Sequence, residues 1–215
     1  MSQDDHSAGS ARLADEMRRI IERLAVVRAP AEELRLATEA AAVFADRLEQ
    51  LPERARSWEV SEAGLLPRDF VAFSPVSGRS NAIAPPVTLH VVNGPEGAVI
   101  EGEVSFGPAY EGPPGHVHGG MVAAMFDELL GFAQQEPAFT ATLTIRYLRP
   151  TPLNRRLQLR AFVDRVDGRK RITRGTCELD GTLLTEAEGL FIAPRSGEDF
   201  LARLGEGARP PATDP

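Results

Sequence analysis

The sequence predicts an α+β fold in which an antiparallel sheet wraps around one central helix, with a helical extension at the N-terminus. Three observations predict it. A helical stretch from Met121 to Phe132 is apolar on nearly every side. Strand-like alternation flanks it, with two strands before and four after, and two amphipathic helical patterns precede them all. A helix without a polar face has to be covered by its own protein, and a sheet with one apolar face is the surface that covers it.

In chain order, residues 10–28 place Leu13, Met17, Ile20, Ile21, Leu24 and Val27 on one helical face. A second pattern begins at Pro30, whose fixed φ suits a first helical turn. It sets Leu34, Ala37, Ala41, Phe44, Leu48 and Leu51 on one side before Pro52 ends it. The opposite faces are rich in Glu and Arg and read as solvated surface. For the apolar seam three partners stand open: the main domain, a second subunit, or another protein. Residues 53–86 lose periodicity and gain Pro, Gly and Ser, so they read as a connector. Within them SPVSGRSNAIAPP, Ser74 to Pro86, is long for a structureless loop.

Val87 to Val92 and Ala98 to Phe106 alternate as strands around a turn at Asn93 to Gly97. After the central helix, Phe139 to Arg149 alternates again. Ala141, Leu143, Ile145 and Tyr147 are expected on one face, and Thr140, Thr142, Thr144 and Arg146 on the other. Arg156 to Val166, Lys170 to Leu179 and Thr182 to Ala193 complete the sheet, joined by Asp167-Gly168 and Asp180-Gly181 as hairpin turns. A short helix is expected from Arg195 to Leu204. The domain reading is a helical extension (1–52), a connector and loop (53–86), the main domain (87–193) and a tail (194–215).

The chemistry concentrates in GPPGHVHGGMVAAMFDELLGFAQQ, Gly112 to Gln135. Pro113 and Pro114 lack amide donors, so the helix begins after His118. At its start Gly119 and Gly120 offer amides with no intrahelical acceptor at the positive end of the helix dipole, a place for an anion or a developing oxyanion. Two turns on, Asp127 and Glu128 stand in the apolar helix, where an unpaired carboxylate is costly, so at least one faces a polar cleft or a partner. Asp127 lies about 12 Å along the axis from Gly119. One helix therefore cannot bring acid and amide to the same carbonyl carbon; two copies related by a two-fold axis can. A composite site at a dimer interface is the expectation.

Composition bounds the rest. A net charge of −7 and a pI near 5.2 argue against a nucleic-acid binder or a peripheral membrane protein. The one cysteine, Cys177, leaves no intrachain disulfide and no multi-cysteine zinc site. His116 and His118 lack further ligands nearby, so no metal is expected. The chain shows no leader-like start, no membrane span, no G-x-S-x-G elbow and no Rossmann or P-loop glycine pattern. The expected setting is the cytoplasm, without a nucleotide redox cofactor.

The segment GPPGHVHGGMVAAMFDE, followed by TATLTIRYLRPTPL at Thr140 to Leu153, resembles the hotdog-fold acyl-CoA thioesterases, in the branch that carries an HGG motif and a central-helix aspartate. The resemblance covers about Pro86 to Ala193. It implies a hotdog fold and a thioester hydrolase with Asp127 as base or nucleophile, Gly119 and Gly120 as carbonyl-polarising amides, His118 positioning the thioester and Thr140 assisting the acid. It implies an acyl-CoA substrate, coenzyme A being part of that substrate rather than a cofactor, with acyl carrier protein open as the other carrier; the composite site calls for a homodimer or a dimer of dimers. Some relatives carry an amide side chain just before the HGG, where this chain has Gly115, His116 and Val117.

The resemblance also places the segment before the first strand near the acyl pocket, which makes Arg79 and Asn81 candidates for substrate contacts; a turn-rich lead into the strand is the other reading. Arg146, Arg149, Arg155 and Arg156 flank the Pro150 turn and suit the phosphates of coenzyme A, or are solvated strand ends. Glu128, about 100° round the helix from Asp127, is expected to partner it or an interface. Two other functions stay open: a non-catalytic acyl-CoA binding or regulatory protein that recruits a partner through its N-terminal helices, and a hotdog dehydratase or hydratase.

Overall fold

The structure, a computed structural model, describes residues 3–53, 71–94 and 97–196. Helix α1 spans Gln3–Leu24 and α2 spans Ala31–Glu49. Strands β1 (Val87–Gly94) and β2 (Gly97–Val104) follow, then a 3-10 turn at Pro108–Tyr110 and the central helix α3 (Gly119–Ala133). Strands β3 (Phe139–Tyr147), β4 (Leu157–Asp167), β5 (Lys170–Leu179) and β6 (Thr182–Ile192) complete the main domain. All six strands form one antiparallel sheet in the order β1-β2-β4-β5-β6-β3. The two strands adjacent to the central helix in sequence thus lie far apart in the sheet, which lets it curl across α3.

The core forms where α3 meets the concave face. Val122, Met125, Phe126, Leu129, Leu130 and Ala133 are its buried side chains, packed with Ile100, Leu157, Leu159, Ala161, Ala187 and Phe191 of the strands. Small residues make this close approach possible. A Cβ on Gly175 or Gly189 would press on the methyls of Leu130, and one on Gly189 would also collide with the Phe191 ring. Leu130 therefore lies in a hollow that only glycine leaves open.

The helix expected to be enclosed on all sides is open on one. Asp127 and Gly120 are exposed on α3, and on the neighbouring face Glu128 meets Ser74 and Ser77 of the segment 71–86. In the β4–β5 hairpin the two loop residues are Gly168 and Arg169, one position later than expected, because Asp167 pairs with Lys170; the Asp180-Gly181 turn is as expected. The expected helix from Arg195 runs almost wholly outside the described residues, as does the tip of the β1–β2 hairpin.

Strand β3 departs from strict alternation. Its pairing with β6 steps from Thr140 opposite Phe191 to Thr142 opposite Leu190, so Ala141 is an extra, bulged residue. Paired residues share a face. Thr140 is thereby turned to the side of Phe191 and the helix, away from Thr142 and Thr144 with which alternation had grouped it.

The helical extension also differs from its pattern. Among the side chains of α1 that are described, the buried ones are Ala14 and Arg18; of the expected apolar face, Met17 and Ile21 are half-buried and Leu13, Ile20 and Leu24 are exposed. The docked face is rotated from the leucine stripe because polar bonds, described below, fix the helix. On α2 no side chain is buried, and Leu34, Leu36, Val43 and Leu48 stand exposed. Its polar side is laced by Arg35, which pairs with Glu32 and Glu39. None of the described helices is long and apolar enough to cross a membrane.

Candidate active site

The turn before α3 is built by backbone bonds. The Gly112 amide donates to the His116 carbonyl at 2.9 Å, the Val117 amide to Thr151 O at 2.8 Å, and the His118 amide to Tyr110 O at 2.8 Å. His116 uses its ring nitrogen Nδ1 on Pro114 O at 2.9 Å. These bonds present His118 as the N-cap of α3, with extended backbone and a side chain that reaches forward.

The two glycine amides differ. Gly120 N–H donates to Nδ1 of His118 at 3.1 Å. The Gly119 amide has no hydrogen-bond acceptor among the described residues, and the Gly119 carbonyl accepts the Tyr147 hydroxyl at 2.8 Å. Of the pair that the sequence singled out, Gly119 presents the open donor at the positive end of the helix, and the imidazole of His118 occupies the other. Tyr147 escaped the sequence reading. In sequence it reads as an ordinary strand aromatic, and the signal that finds it is its parity with Leu143 and Ile145, which sends its ring to the helix side.

Asp127 is exposed on α3, and Thr140 Oγ1 donates to its Oδ1 at 2.8 Å. Its second oxygen has no partner among the described residues. Glu128 faces elsewhere. Its Oε1 accepts the hydroxyls of Ser74, at 2.7 Å, and of Ser77. The two adjacent carboxylates are therefore divided: Glu128 fastens the segment 71–86 to the helix, and Asp127 keeps a free edge.

The substrate-contact candidates are dispersed. Asn81 spends its amide inside its own loop, donating to Phe73 O at 3.0 Å and accepting from Ile83 N at 3.1 Å. Arg79 and Arg156 line one cavity of about 440 Å³ with Asp15, Arg18, Thr88 and Glu103, bounded by α1 and the β1–β2 side of the sheet. Arg146 pairs with Glu186, and Arg156 lies 3.4 Å from Glu103. Arg149 donates to Leu183 O at 2.7 Å and Arg155 pairs with Asp180 at 2.7 Å, so these two meet beside the β5–β6 turn. The four arginines near the Pro150 turn thus separate into three places, each drawn to a different partner: Arg146 on β3 to Glu186, Arg149 and Arg155 of the connection to the β5–β6 turn, and Arg156 to Glu103. Cys177 is buried, and burial, with Glu178 nearby, pushes its thiol up to about 12.

Comparison with known proteins places this arrangement. A family model described as the thioesterase superfamily matches residues 114–174, from the turn before α3 into the first half of β5. The acyl-coenzyme A thioesterase THEM4 of Xenopus laevis is 39% identical over 93 residues, 40% of this chain and 41% of that protein. The THEM4 of Bos taurus is 38% identical over 90 residues, 40% of this chain and 37% of that protein. The chain thus spans about two fifths of the length of these curated relatives. A crystal structure of a thioesterase superfamily protein is similar over 86% of this chain and 90% of that one, at 36% identity and a TM-score of 0.72. That similarity extends well beyond the helix and strands carrying Asp127 and Thr140, and with it the chain belongs to the thioesterase superfamily.

Proposed function

We propose that this protein hydrolyses acyl-CoA thioesters in a composite site shared by two copies of the chain. Asp127 of one copy takes a proton from water, and the oxygen of that water bonds to the thioester carbonyl carbon. The carbonyl oxygen, now negative, is held by the Gly119 amide of the other copy at its helix N-terminus. Collapse of the intermediate breaks the carbon–sulfur bond, releasing the carboxylic acid, and the thiolate leaves as free thiol once protonated. In a second form of the mechanism Asp127 attacks directly and gives an anhydride, which water then opens.

The observation that carries the reading is the Asp127 carboxylate, exposed on an otherwise apolar helix, with one oxygen held by Thr140 and the other unoccupied among the described residues. Thr140 orients the acid and Tyr147 steadies the first residue of the helix. His118 holds the Gly120 amide, and swinging aside when substrate arrives would release a second donor. The dimer reading is supported by β3, which ends the sheet with an outer edge that no described strand pairs. Beside it Tyr147 and Leu148 are 53% and 41% exposed. Pairing of two β3 edges about a two-fold axis continues the sheet and sets the open face of one α3 toward the other.

The phosphate-contact reading carries best to Arg149 and Arg155, which meet at one turn. Neutralising both would raise KM for a CoA ester more than for a truncated thioester. The main test is free-thiol release from a panel of acyl-CoA esters by wild type, Asp127→Asn and Asp127→Ala. Loss of turnover in both variants supports the reading, and robust turnover surviving in both sinks it. The exposed leucines of α2 favour one rival, a non-catalytic acyl-CoA binder that recruits a protein through its extension. Binding of the esters by wild type with no thiol released would select it.

A further inference from the structure

We propose that helix α1 positions the turn before α3 through two side chains, Arg18 and Glu22, which clamp the loops that hold both ends of the candidate site. Arg18 is only 9% exposed. Its Nε donates to Ala84 O at 2.7 Å, its Nη2 to Asn81 O at 3.1 Å, and its Nη1 pairs with Asp15 at 2.7 Å. Two of the three guanidinium nitrogens thus hold the backbone of the segment before β1, and the third is braced by Asp15 on α1.

Glu22, four residues on, lies on the same face of α1. Its carboxylate accepts the Ala109 amide at 3.2 Å and fills the space where any side chain at Gly107 would stand. The two gripped loops are also tied to each other, since the Tyr110 hydroxyl donates to Ile83 O at 3.0 Å. That hydroxyl is pushed up to about 12 by burial, with Glu22 adding to the shift and Arg18 opposing it.

Each loop then leads to the site. The carbonyl of Tyr110 accepts the His118 amide at 2.8 Å, so one short turn separates Glu22 from the HGG segment. The other loop carries Ser74 and Ser77, which hold Glu128 beside Asp127. The composition of the contact supports the same reading. A helix docked for burial alone would hide its large apolar side chains, yet α1 leaves Leu13, Ile20 and Leu24 exposed, Met17 and Ile21 only half-buried, and buries an arginine. Directional bonds fix geometry as well as adding stability.

The inference rests on the thioesterase reading for its kinetic arm only. The experiment compares full-length wild type with Glu22→Ala, Glu22→Gln and, as a control on the exposed side of α1, Arg19→Ala. Backbone hydrogen exchange over residues 112–122 and the kinetics of thiol release are measured together. For Glu22→Ala we expect exchange at the His118 amide to speed up about ten-fold, and kcat to fall about ten- to a hundred-fold while KM stays within about two-fold, as small misplacements of reacting groups do. Glu22→Gln, whose amide oxygen still accepts from Ala109, restores both, and Arg19→Ala alters neither. Unchanged exchange over 112–122 in Glu22→Ala would overturn the clamp, as would exchange rising equally in β4 and β5, which would report a general loosening. If wild type releases no thiol, the functional reading fails and the exchange arm alone decides the clamp.

Discussion

Thr140 reaches Asp127 because β3 contains one residue too many. The hydroxyl lies 2.8 Å from Oδ1 of the acid, and the bulge at Ala141 turns it there from the outer face of the sheet. A hydrogen bond to a charged group is worth about 1.5–3 kcal/mol. Thr140→Val is therefore expected to lower kcat roughly ten- to a hundred-fold, and Asp127→Asn by about a thousand-fold or more. Steady-state kinetics of both variants and of the double variant check this. Because the two side chains act as a unit, the double variant should be little slower than Asp127→Asn alone.

Glu128 depends on its serines. Ser74→Ala with Ser77→Ala leaves the half-buried carboxylate without those donors, a loss expected to cost about 1–3 kcal/mol in denaturant unfolding. Adding Glu128→Leu removes the stranded charge, and most of the lost stability should return. A triple variant no more stable than the double would show that the serines act through something other than this carboxylate.

Gly189 tests the approach of helix to sheet. A methyl there meets the Phe191 ring and the side chain of Leu130. Overpacking of this kind costs about 1–3 kcal/mol, so Gly189→Ala should lower the thermal midpoint by several degrees. A midpoint within a degree of wild type would mean that the helix shifts freely over the sheet.

Cys177 gives the stability curve an alkaline edge. Its thiol, ordinarily near 9.0, is pushed up to about 12 in the folded chain. Between those values the unfolded chain has lost the proton and the folded one keeps it, so stability falls as pH rises through that window and is unaffected below it. Cys177→Ala should show a shallower decline in unfolding free energy from about pH 9 upward. An identical slope would place the thiol in contact with water.

Much of this fold is legible in the sequence because its signals are local. Strands β5 and β6 begin where alternation and the Asp180-Gly181 turn place them, and α3 starts at the glycines that follow the proline-rich turn. What was not legible depends on pairing between distant segments. Nothing near Ala141 announces a bulge; it exists because β6 presents Phe191 and Leu190 in a fixed register. The division of labour between Asp127 and Glu128 was similarly hidden, since it is settled by Ser74 and Ser77, more than fifty residues earlier. Likewise α1 carries a leucine stripe that periodicity reads as its contact face, and two polar side chains overrule it. The arginines around Pro150 read as one cluster only because they are close in sequence.

Helix α2 buries none of its side chains, so the sheet lends it no cohesion. Among the described residues its helicity rests on its own hydrogen bonds and on the ion pairs of Arg35 with Glu32 and Glu39, and nineteen residues are barely enough to hold a helix in water on such terms. On heating, the far-ultraviolet signal of this arm should fade gradually, well before the sheet and α3 melt together in one sharp step.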